Sequence, residues 1–266
     1  MSSIDISNKE FNSLSQLIYS ESGINIHTGK MELLKSKIAK RMRSTKISSY
    51  NNYLKYLAGN KDEITEFIDT VTTNHSFFFR ENTSVQRMID ALQLENKLSQ
   101  RTFNIWCAAC STGDEPYSVA VQMLEQGLRF SILATDISHS VLNTAMRGVY
   151  TRERVKNVPT PLLHKYFQKG TGKKTDYVRV KKEVMSYIDF KKFNLISDPV
   201  PCEKFDVIMC RNVMIYFDNT TTEKVINSLY HALKNGGIFI IGQAESLMSL
   251  KHKFKSVKNT PSTFQK

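Results

Sequence analysis

The first 75 or so residues carry apolar positions at helical spacing only. Ser7-Asn8-Lys9-Glu10 has the S-x-x-E form of a capping box, Phe11, Leu14, Leu17 and Ile18 follow on one face, and Gly23 offers a stop. A second helix is predicted over 30–46, with Leu34, Ile38 and Met42 on one stripe and Lys35, Lys37, Lys40, Arg41, Arg43 and Lys46 on the rest. Amphipathic stretches over 49–57 and 62–71 complete a small helical bundle.

After Gln100 the pattern changes to short apolar strands alternating with helical runs. Strands are predicted at 103–108, 130–135, 184–190, 205–210 and 238–242, with helices at 117–126 and 221–233 among them. This alternation predicts an α/β fold of Rossmann-like kind, a mostly parallel sheet with helices on both faces. Lys169-Gly170-Thr171-Gly172-Lys173-Lys174 breaks the rhythm and leads into Tyr177-Val178-Arg179-Val180, which reads as a small antiparallel insertion. The expected organisation is an all-helical basic domain over 1–75, a linker and helix over 76–100, and an α/β domain over 101–266 with the insertion at about 169–188.

Composition narrows the class. No run of about 18 apolar residues exists to span a bilayer, and the start, Met1-Ser2-Ser3-Ile4-Asp5, lacks the basic flank and apolar core of a secretory leader. The expected compartment is the cytoplasm, where the four cysteines stay reduced. Cys107 and Cys110 have C-x-x-C spacing without the second pair or histidine pair that zinc wants, so no metal is expected. A net charge of +12 predicts attraction to a polyanionic partner such as nucleic acid, an acidic membrane or an acidic protein.

The candidate chemistry sits in the first strand-to-helix turn, Ala109-Cys110-Ser111-Thr112-Gly113-Asp114-Glu115-Pro116. In a doubly wound sheet, ligands bind beyond the carboxyl ends of the strands around this turn. Small residues let the backbone approach a ligand, Pro116 suits a helix's first turn, and the free N–H groups there favour a carboxylate. About 20 residues on, Ala134-Thr135-Asp136 ends the second strand with an acid able to accept from both ribose hydroxyls of an adenosine. The turn lacks G-x-G-x-x-G, so adenosine joined to an amino acid fits better than a dinucleotide.

Several strings resemble, in order, the chemotaxis receptor methyltransferase (CheR) family: Thr72-Thr73-Asn74-His75-Ser76-Phe77-Phe78-Phe79-Arg80-Glu81, Cys110-Ser111-Thr112-Gly113-Asp114-Glu115-Pro116-Tyr117-Ser118, Ala134-Thr135-Asp136-Ile137, Phe193-Asn194-Leu195 and Cys210-Arg211-Asn212-Val213-Met214-Ile215-Tyr216-Phe217-Asp218. The resemblance covers nearly the whole chain. It implies an S-adenosylmethionine-dependent methyltransferase, with Asn74, Ser76 and Arg80 covering the cofactor and Arg80 placed for its carboxylate. Glu115 would bind the methionyl amino group, Asp136 the ribose, and Asn194 and Leu195 the adenine, with Arg211 and Asn212 beside the sulfonium. Ser76 stands where the family often has threonine, and Asp114 where it often has glutamate.

The implied reaction carries the sulfonium methyl to glutamate side chains of chemotaxis receptors, giving methyl esters and S-adenosylhomocysteine. A glutamate, with reference pKa about 4.3, is already ionised at neutral pH, so no general base is needed. Arg211 and Tyr216 are the candidates for orienting it. Lys35, Lys37, Lys40, Arg41 and Arg43 offer a docking face for an acidic receptor helix, and the insertion around Gly170, Thr171 and Gly172 resembles the subdomain with which some relatives hold a receptor's C-terminal tail as an added strand. A monomer is expected, with neither nucleic acid nor membrane insertion. The rival readings are a nucleic-acid methyltransferase, whose proline-rich string after the fourth strand is missing at Asn212-Val213-Met214-Ile215, and a non-catalytic cofactor or tail sensor.

Overall fold

The computed structural model describes residues 6–258 and 260–266, so the chain start read for a leader lies outside the described residues. Contacts divide the chain into two units, one running to Thr73 and taking in Tyr216–Thr221, the other holding Asn74–Ile215 and Thr222–Lys266.

The first unit is built on α1 (Asn8–Ser22), α2 (Met31–Thr45), α3 (Tyr50–Gly59) and α4 (Lys61–Val71). Ser7 and Glu10 form the reciprocal capping box, the Ser7 N–H donating to Glu10 Oε2 at 2.9 Å and the Glu10 N–H to Ser7 Oγ at 3.3 Å. Such a cap contributes about 1 kcal/mol. Leu14 and Ile18 of α1, Ile38 of α2, Tyr53 and Leu57 of α3 and Phe67 of α4 are fully buried.

Two cations of the expected docking face are committed to this bundle instead. Lys37 Nζ donates to the Val71 and Thr72 carbonyls at 3.0 and 2.9 Å, satisfying the end of α4, and burial lowers its pKa. Arg41 forks onto Glu63 at 2.6 and 3.0 Å and reaches Glu66 at 3.2 Å; Glu63, only 6% exposed, also accepts from Tyr53 Oη at 2.7 Å. A carboxylate buried this deeply holds its arginine because, among the described residues, no other ion pair balances its charge. Lys35 lies 3.8 Å from Glu32, whereas Lys40 and Arg43 are exposed. Arg41→Ala is expected to destabilise the chain by about 3 kcal/mol by leaving Glu63 unpaired. Urea denaturation followed by circular dichroism checks this, and a loss below about 1 kcal/mol would return Arg41 to a surface role.

The second unit contains α5 (Asn82–Ser99), β1 (Phe103–Ala108), α6 (Asp114–Glu125), β2 (Phe130–Asp136), α7 (His139–Arg147), β3 (Val149–Thr151), α8 (Thr160–Tyr166), β4 (Phe167–Lys169), β5 (Tyr177–Val180), α9 (Lys182–Met185), β6 (Ile188–Lys192), β7 (Phe205–Cys210), β8 (Leu233–Ile240), β9 (Lys255–Ser256) and β10 (Thr263–Gln265). Between β7 and β8 runs α10 (Asn219–Ala232). The main sheet has the order β6-β2-β1-β7-β8-β10-β9, parallel except for β10, which runs against both of its neighbours. Phe103, Ile105 and Cys107 join a core with α5 and α6, while Trp106 turns to the other face against Phe193 and Phe205 at 5.2 and 5.3 Å. Burial on both faces explains why β1 and β7 are apolar apart from Asn104 and Asp206 near their starts.

Several boundaries differ from those predicted. Residues 184–190 do not form one strand: Val184 and Met185 lie in the helical turn α9, both N–H groups bonding to the Lys181 carbonyl, and β6 starts only at Ile188. A short apolar run does not tell strand from buried helix by itself. The helix predicted at 117–126 starts at Asp114, because its acidic first turn carries no apolar period. β8 starts at Leu233, five residues before the predicted 238, through a polar stretch that pairs irregularly with β7. The antiparallel insertion is a three-stranded sheet, β3-β5-β4, spanning 149–180 rather than 169–188. β3 and β4 have three residues each, too few to show alternation.

Candidate functional site

The sheet order reverses between β1 and β7, and the chain segments beyond their carboxyl ends meet there. After β1, the backbone turns through Ala109 (φ 67°), Ser111 (φ 49°) and Gly113 (φ 86°). A left-handed conformation costs a non-glycine residue about 1 kcal/mol, so this turn must be held from outside. Asp136, at the end of β2, holds it: its Oδ2 accepts the Ser111 N–H at 2.8 Å and its Oδ1 the Ser138 N–H at 3.0 Å. Gly113 tolerates no side chain, since a Cβ would sit 2.8 Å from that of Ala145.

Asp114, fully buried, is gripped by Arg154 at 2.8 and 3.0 Å and by Thr112 Oγ1 at 2.6 Å, and Tyr150 Oη donates to the Thr112 carbonyl at 2.6 Å. The turn is therefore braced by β3 and the residues after it. Glu115, one residue on, faces Arg211 instead: Nη1 donates to Oε2 at 2.6 Å. Burial pushes the Glu115 carboxyl up, against the pull of that guanidinium. Arg211 follows β7 and has a side chain 2% exposed. Its Nη2 donates to the carbonyls of Arg80 and Glu81 at 2.9 and 3.3 Å and to Glu81 Oε2 at 3.1 Å. Asn212 Nδ2 donates to Glu81 Oε1 at 3.1 Å.

The expected site residues divide accordingly. Arg80, Glu115, Arg211 and Asn212 are brought together, and Asp136 lies under the same turn. Arg80 donates to the His75 carbonyl at 2.9 Å and rests over Phe77, while Asn74 and Ser76 are half-buried in the extended segment before it. Asn194 and Leu195 follow β6 in a turn in which Asn194 Oδ1 accepts from the Ile196 N–H at 3.2 Å, beside Phe193, whose N–H donates to the Asp136 carbonyl at 3.0 Å. Tyr216 falls in the first unit, where its carbonyl accepts from the Asn25 N–H at 2.8 Å and Lys30 Nζ lies 5.8 Å from its ring centre. Gly170, Thr171 and Gly172 form the turn between β4 and β5; a Cβ on Gly170 would collide with the Lys174 carbonyl.

Two residues were not singled out for chemistry by sequence reasoning. Glu81 gathers Arg211, Asn212 and the Gln243 N–H, and its only signal was its place next to Arg80. Glu245 accepts the N–H groups of Asn212, Val213, Met214 and Gly242, tying the segments after β7 and β8 together.

Two donors at this place are buried without a partner among the described residues, Ser111 Oγ and Arg211 Nε. No side chain caps the start of α6. Orphaned polar groups over a strained turn, with carboxylates on either side, fit a ligand that carries hydroxyls, an ammonium and a carboxylate. Cys107 and Cys110 are buried, burial pushes both thiols up, and no group of three or more potential metal ligands occurs among the described residues.

Comparison with known proteins identifies the family. Residues 74–263 match the family described as "CheR methyltransferase, SAM binding domain", and residues 9–72 match "CheR methyltransferase, all-alpha domain". The chain is 35% identical over 259 residues to a chemotaxis protein methyltransferase of Escherichia coli, covering 94% of this chain and 88% of that protein. It is 33% identical to chemotaxis protein methyltransferase 2 of Pseudomonas aeruginosa, over 95% of this chain and 91% of that one. A chemotaxis protein methyltransferase of Borreliella burgdorferi is also 33% identical, with 94% and 92% covered.

Proposed function

Because this chain belongs to the CheR methyltransferase family, we propose that it transfers the methyl group of S-adenosylmethionine to glutamate side chains of chemotaxis receptors, forming methyl esters. The observation that carries the reading is the convergence of Glu115, Arg211 and Asn212 over the turn held by Asp136. In this reading Glu115 takes the ammonium of the cofactor, Arg80 its carboxylate and Asp136 its ribose. Asn194 and Leu195 flank the adenine, with Asn74 and Ser76 over the ligand.

S-adenosylmethionine, when bound, supplies a methyl group already activated on a positive sulfur. The attacking glutamate is ionised at neutral pH, so the protein need not remove a proton, and no metal is required. What the chain contributes is orientation and the exclusion of water. Arg211 is held rigidly enough to serve the first purpose, with its guanidinium fixed from both ends. Tyr216 is proposed to orient the substrate carboxylate.

The substrate helix docks on the basic face of α2, where Lys40 and Arg43 are exposed and Lys35 is partly so, while Lys37 and Arg41 serve the bundle. The three-stranded sheet has edge strands β3 and β4, which supports addition of a receptor tail as a further strand near Gly170, Thr171 and Gly172. No described helix is long and apolar enough to cross a membrane, and the enzyme is proposed to act as a cytoplasmic monomer.

The test supplies radiolabelled S-adenosylmethionine with a receptor cytoplasmic fragment and, separately, with RNA. Label on the receptor that mild alkali releases as methanol is the expected result. Alkali-stable label on RNA, or no transfer to either, would overturn the assignment.

A further inference from the structure

Glu81 sits where α5 begins, in a left-handed conformation with φ 47°, which a glutamate adopts only when its surroundings compel it. Its carboxylate collects donors from separate parts of the chain: Arg211 Nη2 at 3.1 Å and Asn212 Nδ2 at 3.1 Å after β7, and the Gln243 N–H at 2.9 Å after β8. Burial opposes its ionisation, but the Gln243 N–H, the Asn212 amide and Arg211 outweigh that and hold it below the usual carboxylate range. It is therefore a fixed negative charge.

The arrangement poses a charge problem that Glu81 resolves. Glu115 is the carboxylate assigned above to the ligand ammonium, yet Arg211 is already bonded to it at 2.6 Å. A guanidinium with no other counter-charge would cancel Glu115 and repel an incoming cation, an effect amplified where water is excluded. Arg211 does have another counter-charge: its second terminal nitrogen meets Glu81, so the guanidinium is shared between two carboxylates. Counted with Arg80, 3.7 Å from Glu81, the four side chains are neutral together, which matches a zwitterionic amino-acid end. Without Glu81 the group carries an excess positive charge.

We propose that Glu81 is a positioning residue for the cofactor's amino-acid end, balancing and fixing Arg211 so that the Glu115 charge remains available to an ammonium. The inference rests on the proposed cofactor reading and adds to it a residue that touches no ligand in that reading. It makes a distinction that a merely structural role would not. Ligands bearing the ammonium should depend on Glu81, and ligands with only the adenosine part should not.

The experiment measures, by calorimetry on the full chain, the affinities of S-adenosylhomocysteine and of 5′-methylthioadenosine, which keeps the nucleoside and thioether but lacks the amino-acid end. For Glu81→Gln the expected result is at least a tenfold weaker S-adenosylhomocysteine with 5′-methylthioadenosine changed less than threefold. Equal weakening of both ligands, or no change in either, overturns the proposal. Should the glutamine variant not fold, Glu81→Ser, whose smaller side chain admits water to the freed donors, is read by the same ratio. Failure of the cofactor reading looks different, because the unaltered protein would then not bind S-adenosylhomocysteine at all.

Discussion

Replacing Asp136 by alanine is expected to lower affinity for S-adenosylhomocysteine by two orders of magnitude or more, as read by calorimetry. Hydrogen bonds to a charged acceptor contribute roughly 1.5–3 kcal/mol each, and a carboxylate that accepts from two ribose hydroxyls loses both. A second loss compounds the first. Asp136 also receives the N–H groups of Ser111 and Ser138, so the left-handed turn at Ser111 loses its anchor together with the ligand. Asp136→Asn separates the two effects, because the amide retains one acceptor oxygen but presents a donor to either an N–H or a hydroxyl. Its affinity should fall between those of the native protein and the alanine variant. Unchanged binding by Asp136→Ala would refute the ribose assignment.

The largest effect on stability is expected at Glu245. Its oxygens accept four main-chain N–H groups, from Asn212 at 3.0 Å, Val213 at 3.0 Å, Met214 at 2.8 Å and Gly242 at 2.6 Å. Burial pushes this carboxyl up even though every one of those N–H groups favours its ionised form. Asn212 is left-handed at φ 58°, and a Cβ on Gly242 would come within 2.6 Å of Asn212 Nδ2, so the two segments are pressed together around the carboxylate. With Glu245→Ala the buried donors lose their acceptor at roughly 1 kcal/mol apiece, giving a destabilisation of about 4 kcal/mol. Glu245→Gln should recover part of this, since its amide nitrogen faces donors and only its oxygen can accept. Urea denaturation of both variants measures the difference, and a loss below about 1 kcal/mol for the alanine variant would show that water replaces the carboxylate. Cofactor affinity should decline as well, because Asn212 rides on the segment that Glu245 pins.

Features set by neighbours along the chain were legible from the residues alone. The Ser7–Glu10 box is a contact over three residues, and it forms as read. The stripe of Leu34, Ile38 and Met42 is buried as its period requires. β1 and β7 have their predicted ends because each is apolar at every position but its second, and the turn after β1 is marked by its small residues and Asp136. The resemblance to a known family added the remaining site positions through strings that are themselves local.

What only the tertiary structure decided is which partner each charged side chain meets. Glu81 and Arg211 are 130 residues apart, Asp114 and Arg154 are 40 apart, and nothing in their own surroundings along the chain couples them. Arg41 looked like one more cation on a basic helix face, and the buried Glu63 across from it made it part of the bundle. The three-residue strands β3 and β4 exist only because β5 lies between them to pair with both. Periodicity and capping depend on rises and turns that are the same in every helix or strand, so the sequence by itself determined the capped and striped helices and the apolar strands β1 and β7. The value of a charge depends on what folding places beside it, so the guanidinium shared between Glu81 and Glu115 came from the packing.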